Sequence, residues 1–319
     1  MSPVVRKRAY LAFIAISVIW GTTYFAIKLA LETIPPFTMG GLRYLLGGAI
    51  LALILRARGV RLPPIAAWPP FAVIGLLMLG FGNGGVTYAE QFVPSGLAAV
   101  MIATTPFWMT SVEALVGKGE RLGRRKLLGL TVGFSGIVVL VWPDLMASVS
   151  NGSGYGAGLI ALQLACIGWA FGSSYAKRLS QTADVLASAS MQMMFGGAWM
   201  LLAATMAGEL PRLHFNVVTS ASLLYLVLAG SVAGYAAYAY ALKHLPVSTV
   251  SMYAYINPVI AVALGTLLLG EPFHARMLVA AVIIAAGIMI VRIRGAEQAA
   301  GSSSIEVEAR TVVPVRRAS

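Results

Sequence analysis

Charge is what this chain is short of. Only 11% of its 319 residues are Asp, Glu, Lys or Arg, where soluble domains carry about 25%. Cysteine is nearly absent as well. The single one, Cys166, lies inside an apolar run, which excludes a disulfide within the chain and a cysteine metal site. Histidine is scarce, and His214, His244 and His274 fall at the ends of apolar runs or in the links between them. There is no HExxH, no nucleophile elbow, no pair of acids within one run and no ATP-binding motif. Metal-assisted hydrolysis, acyl transfer and ATP-driven work by this chain alone are disfavoured on that ground. No cofactor and no metal are expected.

What the chain has instead is length of apolar sequence, with 59% of residues hydrophobic. The apolar residues fill runs of about 20, the length a helix needs to cross roughly 30 Å of hydrocarbon. Ten such runs are read, at about 9–31, 36–55, 69–89, 95–116, 124–142, 155–177, 186–206, 220–242, 247–269 and 274–292. Links between them are short and marked by proline, as at Pro35-Pro36, Pro63-Pro64, Pro94, Pro143, Pro211, Pro246 and Pro272. The runs do not alternate, so a β-barrel is excluded. The fold class expected is an all-α polytopic membrane protein with ten transmembrane helices, in the plasma (inner) membrane.

The net charge of +12 gains meaning from its distribution. With the N-terminus cytoplasmic, 19 of the 23 Lys and Arg fall on the cytoplasmic side, from Arg6-Lys7-Arg8 to Arg316-Arg317. Arg212 and Arg276 fall outside, and Lys28 and Arg43 lie within spans. That asymmetry is the positive-inside pattern; it places both termini in the cytoplasm. It also removes the case for nucleic acid, since the basic residues are scattered over many loops. Residues 295–319 read as a disordered cytoplasmic tail.

The halves repeat. "WGTTYFAIK" at 20–28 returns as "WAFGSSYAK" at 169–177, 149 residues on. Gly47-Gly48-Ala49 matches Gly196-Gly197-Ala198 at the same offset. Tyr88-Ala89, Pro94 and Pro106 match Tyr240-Ala241, Pro246 and Pro258 at an offset of 152. Gly119-Glu120 and Gly136 match Gly270-Glu271 and Gly287 at 151. Each repeat holds five spans, an odd number, so the second copy enters the membrane from the opposite side. Inverted repeats of this kind place a substrate site near the bilayer midplane, between the halves. The matched prolines predict a helix break at Pro106 in span 4 and another at Pro258 in span 9.

At this point the residues resemble a family. The phrases "WGTTYFAIK", "PPFTMGGLRYLLGGAIL" and "GNGGVTYAEQFVPSGLAAVMIATTPFW" are similar to the first repeat of EamA-like transporters in the drug/metabolite transporter superfamily. "YAYALKHLPVSTVSMYAYINPVIAVALGTLLLGEP" is similar to their eighth and ninth spans. The resemblance implies two EamA-like repeats, at 9–142 and 155–294, and export of an amino acid, another metabolite or a drug. A nucleotide-sugar or sugar-phosphate carrier shares the architecture but would need several cations facing the cavity. The partners implied are a small-molecule substrate and the lipid bilayer; the oligomeric state stays open, and a monomer suffices.

Several residues are candidates for the path. Trp20 and Trp169 lie near mid-span, where Trp is unusual; they are cavity walls or packing bulk. Tyr24 belongs to the same phrase. Tyr235 and Tyr238 stand out on a span otherwise rich in Gly and Ala. Asn83 and Asn257 are polar at midplane depth, either binding substrate or capping a carbonyl freed by Pro258. Lys28 and Lys177 mark opposite mouths, either snorkelling to the interface or gating. Arg43 sits about 10 Å deep at 1.5 Å per residue, and a structural or gating ion pair with Glu32 or Glu90 is expected ahead of a substrate contact. Glu113 is expected to pair with another helix or to carry a proton. Gly129 and Gly133, with Ala281 and Ala285, give spans 5 and 10 close-packing faces and a scaffold role.

Overall fold

A computed structural model describes residues 2–116, 124–151, 154–179, 184–245, 250, 253–287 and 289–290. Every regular element among the described residues is helical. Six helices are long and apolar enough to span a bilayer: α1 (Pro3–Ala30), α2 (Pro36–Ala57), α3 (Ile65–Ala89), α6 (Tyr155–Leu179), α7 (Val185–Met206) and α8 (Val217–Ala241). Four more apolar helices fill the remaining places. They are α4, in two pieces (Ser95–Ile102 and Thr105–Val116), α5 (Arg124–Asn151), α9 (Tyr253–Leu269) and α10 (Ala275–Gly287). The protein is an all-helical membrane protein with a two-repeat pattern. The tail that begins at 295 lies outside the described residues.

Local chemistry sets the helix ends. Asp184 accepts hydrogen bonds from Leu186 N and Ala187 N and so starts α7. Asn216 and Thr219 exchange the two bonds of a capping box at α8. Gly59, Gly208 and Gly270 stop α2, α7 and α9 with φ of +77°, +63° and +64°, a conformation that costs glycine little.

Packing follows the repeat. Helix α1 lies against α8 and α9, and α6 lies against α3 and α4. Helix α2 lies against α8 as α7 lies against α3. Helices α2 and α7 cross each other, and α4 meets α9. Each contact therefore has its counterpart with the halves exchanged. The α2–α7 crossing passes through the repeated glycine pairs. A methyl added at Gly48 would stand 2.8 Å from both Met194 N and Ser190 O. Small residues let the two backbones touch there, as in membrane helix pairs generally. Helix α10 uses the same device on α5, with Gly287 over Gly129 and Gly133. Outward faces carry large exposed apolar side chains, among them Leu11, Ile14, Val18, Leu53, Phe134 and Val282, as lipid contact requires.

The two prolines behave differently. Helix α4 breaks at Ala103-Thr104, and Pro106 opens its second piece. Helix α9 runs unbroken from Tyr253 to Leu269 with Pro258 inside it. The matching break expected at Pro258 is therefore absent. Asn257 supplies a reason. With its amide nitrogen turned to the two acceptors that face it, Asn257 donates to Tyr253 O at 2.9 Å and to Ser17 O of α1 at 3.1 Å. The side chain bridges one turn of α9 and pins it to its neighbour.

Candidate functional site

Helices α3 and α8 each widen into a π-helical coil, over Gly75–Asn83 and Leu226–Ala233. Such coils shift carbonyls out of the usual ladder and are frequent at functional sites. Here they receive the tryptophans. Trp20 Nε1 donates to Gly230 O at 3.1 Å. Its indole edge lies over Gly234, where an added methyl would stand 2.5 Å from Nε1. In the other half, Trp169 lies over Gly82, where an added methyl would meet its ring at 3.2 Å. Gly82 and Gly234 stand at the same 152-residue offset as Tyr88 and Tyr240. Each Trp thus sits on the matching glycine of the opposite half.

Around Trp20 the rings gather. Its centroid lies 5.6 Å from Tyr235, 5.4 Å from Tyr238 and 5.0 Å from Tyr253. Two of these contacts are edge-on, a favoured geometry worth about 0.5–1.5 kcal/mol beyond burial. Three helices, α1, α8 and α9, meet in this cluster, and they come from both repeats. Tyr253 belongs to it although the Gly- and Ala-rich composition of span 8 put forward only Tyr235 and Tyr238. The tryptophans are not symmetric in their company: Trp169 packs instead against the core cluster that contains Tyr44, Leu79 and Met200.

Arg43 reaches the same region from α2. It is 5% exposed. Its Nε donates to Ser231 Oγ at 3.3 Å, and its carbon Cζ lies 4.7 Å from the centroid of the Tyr44 ring. Ser231 Oγ in turn donates to Leu226 O at 3.1 Å. The ion pair expected with Glu32 or Glu90 is not formed. The guanidinium is spent on a hydroxyl and a ring, and its two terminal nitrogens make no hydrogen bond among the described residues. Tyr24 of α1 and Tyr235 lie within electrostatic reach.

Lys28 does something the sequence did not suggest. Its ammonium donates to Glu90 O at 2.5 Å and to Val93 O at 3.2 Å. It neither snorkels nor pairs with a carboxylate among the described residues. It caps the carboxyl end of α3, where cations are favoured. Glu90 itself follows the last residue of the α3 span and is 0% exposed, and neither carboxyl oxygen has a hydrogen-bond partner among the described residues. Burial pushes its carboxyl well above the usual carboxylate range, against the pull of Lys28.

Two further carboxylates were missed. Helices α2 and α4 begin at Pro35 and Pro94, which provide no side-chain cap. Glu209, 2% exposed, fills the gap at α2 and accepts from Thr38 N at 2.7 Å, Thr38 Oγ1 at 2.9 Å and Phe37 N at 3.3 Å. Glu271 does the same at α4, from Ser95 N at 2.8 Å, Ser95 Oγ at 2.9 Å and Gly96 N at 3.2 Å. Both carboxylates come from the second half and both receiving helices from the first. Thr33 Oγ1 adds bonds to His214 O at 2.7 Å and Thr219 Oγ1 at 2.9 Å. All of these contacts lie at the end that the charge census places outside. The signal was there to read: a helix starting on proline needs an acceptor from elsewhere.

The other candidates fall away from this centre. Asn257 is buried and satisfied by backbone. Asn83 reaches Met78 O, a carbonyl of its own π-coil, at 3.5 Å. Glu113 and Lys177 lie on α4 and α6, and their side chains are outside the described residues. No group of three or more His, Cys, Asp or Glu is placed to hold a metal among the described residues.

Comparison with known proteins agrees with this architecture. The family described as "EamA-like transporter family" matches residues 7–142 and 156–293. The "Uncharacterized inner membrane transporter YedA" of Escherichia coli (strain K12) is 39% identical over 265 residues, covering 82% of either chain. The "Probable amino-acid metabolite efflux pump" of Salmonella typhimurium (strain LT2) is 28% identical over 298 residues, covering 89% of this chain and 94% of its own. A solved crystal structure at 20% identity superposes with a TM-score of 0.62 over 89% of this chain and 96% of its own, which shows the shared fold.

Proposed function

The chain belongs to the EamA-like transporter family and is a membrane transporter; from that premise we propose that it exports a small amphipathic metabolite, such as an amino acid or a drug, across the inner membrane. The substrate is held near mid-membrane against Trp20, Tyr235, Tyr238 and Tyr253. Alternating access then consists of the two halves exchanging conformations about the α2–α7 crossing. One observation carries the reading. The aromatic cluster is built by helices of both repeats, so rearranging the halves must open or close it. The outer contacts of Glu209 and Glu271 tie one half to the other, so an outward-open state has to break them. Export and the amino-acid class are supported by the name of the Salmonella relative, and the inner membrane by that of YedA.

A ligand-stabilisation screen of the purified protein against amino acids, common metabolites and drugs tests the proposal. A member of the panel is expected to raise the melting temperature, and Trp20→Ala is expected to abolish that rise while the unliganded protein stays monodisperse. An unchanged rise in Trp20→Ala removes the cluster from the site.

A further inference from the structure

The interior holds a buried cation that pairs with no carboxylate among the described residues. Charged side chains in a membrane bundle are expensive and pair with one another, with backbone carbonyls or with a ligand. Lys28 takes the carbonyl solution. Arg43, 5% exposed, takes none of these. Its Nε is held by Ser231, and the terminal pair of nitrogens makes no hydrogen bond among the described residues, beside the Trp20 cluster. The carboxyl in reach, Glu90, is sealed and makes no hydrogen bond among the described residues, and it lies nearer the Lys28 end of α1.

The repeat shows that the fold does not require this arrangement. The position of Arg43 in the second half is Gln192, and those of Gly230 and Ser231 in the first half are Met78 and Leu79. One half fills the space with apolar side chains. The other clears it with glycine, sets a hydroxyl to hold Nε, and aims a guanidinium through the gap. An added methyl at Gly230 would stand 3.1 Å from Nη2, so the glycine is what lets the head group pass. Two parallel N–H groups of a guanidinium match the two oxygens of a carboxylate.

We propose that Arg43 is the subsite for a carboxylate carried by the transported molecule, with Ser231 and Gly230 as positioning residues. The substrate is then an organic acid or a zwitterion whose apolar part lies on the rings around Trp20. This rests on the transport reading above, but it is tested by binding and not by flux. The probes are the apolar and aromatic L-amino acids and the same compounds as carboxamides, bound to the full chain in nanodiscs.

Wild type is expected to bind at least one acid about tenfold or more tighter than its amide. Arg43→Gln should lose about tenfold for the acid and little for the amide, so the preference collapses. Arg43→Lys should restore part of it. Ser231→Ala and Gly230→Ala, which leave the charge in place but misdirect it, should each reduce the preference and keep the inquiry open if Arg43→Gln fails to fold. Several results overturn the proposal. They are no binding of any acid, equal affinity for acid and amide, equal loss of both in Arg43→Gln, displacement of the acid by chloride at equal potency, or a preference untouched by Ser231→Ala and Gly230→Ala. Acid-selective binding without flux in proteoliposomes would leave the subsite standing and remove the transport reading instead.

Discussion

Glu209→Gln isolates one bond in the outer contact. One carboxylate oxygen of Glu209 accepts from Thr38 N and Thr38 Oγ1, and the other from Phe37 N. Gln keeps an oxygen for Thr38 and turns an NH2 toward the N–H of Phe37. The structure thus predicts loss of one charge-assisted bond and of the negative charge at a helix start. The Phe37 bond is long, at 3.3 Å, so the low end of the usual range applies, about 1.5 kcal/mol. That is roughly tenfold in an equilibrium between closed and open outer ends. The assay begins by replacing Cys166, the one cysteine, with Ala. A reporter cysteine is then placed at Ser231, which is 0% exposed. A membrane-impermeant thiol reagent is added from the outside. Labelling should be about tenfold faster in Glu209→Gln. Glu271→Gln should act alike, and the pair should approach roughly 100-fold, because the two carboxylates cap separate helices and distant effects add. Labelling within twofold of the parent, with an exposed control cysteine reacting normally, would refute the idea that these carboxylates hold the outer end shut.

Three other outcomes follow from single contacts. Gly48→Ala forces a methyl against Met194 N and Ser190 O, and backbone cannot give way cheaply. A loss of about 1–3 kcal/mol is expected, read as a lower melting temperature in detergent; an unchanged melt would mean that α2 and α7 do not cross this closely. Lys28→Met leaves the carbonyls of Glu90 and Val93 without their donor, at a cost of about 1–3 kcal/mol; Lys28→Arg should recover part of it in the same thermal assay. For Glu90, the closed outer end holds the carboxyl proton more tightly than a hydrated open end would. Acid therefore favours the closed end. That preference is full below the ordinary carboxylate range, about 4.3, and falls as pH rises from there toward the raised value. The labelling rate, taken relative to the exposed control cysteine at each pH so that thiolate formation cancels, should accordingly climb with pH in the parent and lose this dependence in Glu90→Gln. The groups facing it are Lys28, Glu271 and Arg43; a slope that survives Glu90→Gln would contradict the role given to the Glu90 carboxyl.

Much of the architecture was legible because it is written in composition and period. Runs of about 20 apolar residues, the charge asymmetry and the 149-residue echo all report on the bilayer, which acts on every residue alike. The geometry of the candidate site was legible in part. Trp20, Tyr235 and Tyr238 do converge, and spans that match by repeat also match by contact. What failed was pairing. The partner of Lys28 is a pair of backbone carbonyls, which no sequence motif displays. The partner of Arg43 on the chain is a buried serine presented by a π-coil, a local widening that hydropathy does not register. Glu209 and Glu271 looked like ordinary loop acids, because their role depends on helix starts more than 170 residues away. The Pro258 break failed for a related reason. Proline removes one bond, but Asn257 beside it supplies others.

Flux through the reconstituted protein tests the central claim most directly. Wild-type protein in proteoliposomes loaded with the labelled compound that stabilises it should release that compound faster than empty vesicles. Trp20→Ala, reconstituted at equal density, should fall toward the empty-vesicle rate. Release no faster than from empty vesicles, for every compound that binds, would contradict the account. So would equal release from wild type and Trp20→Ala.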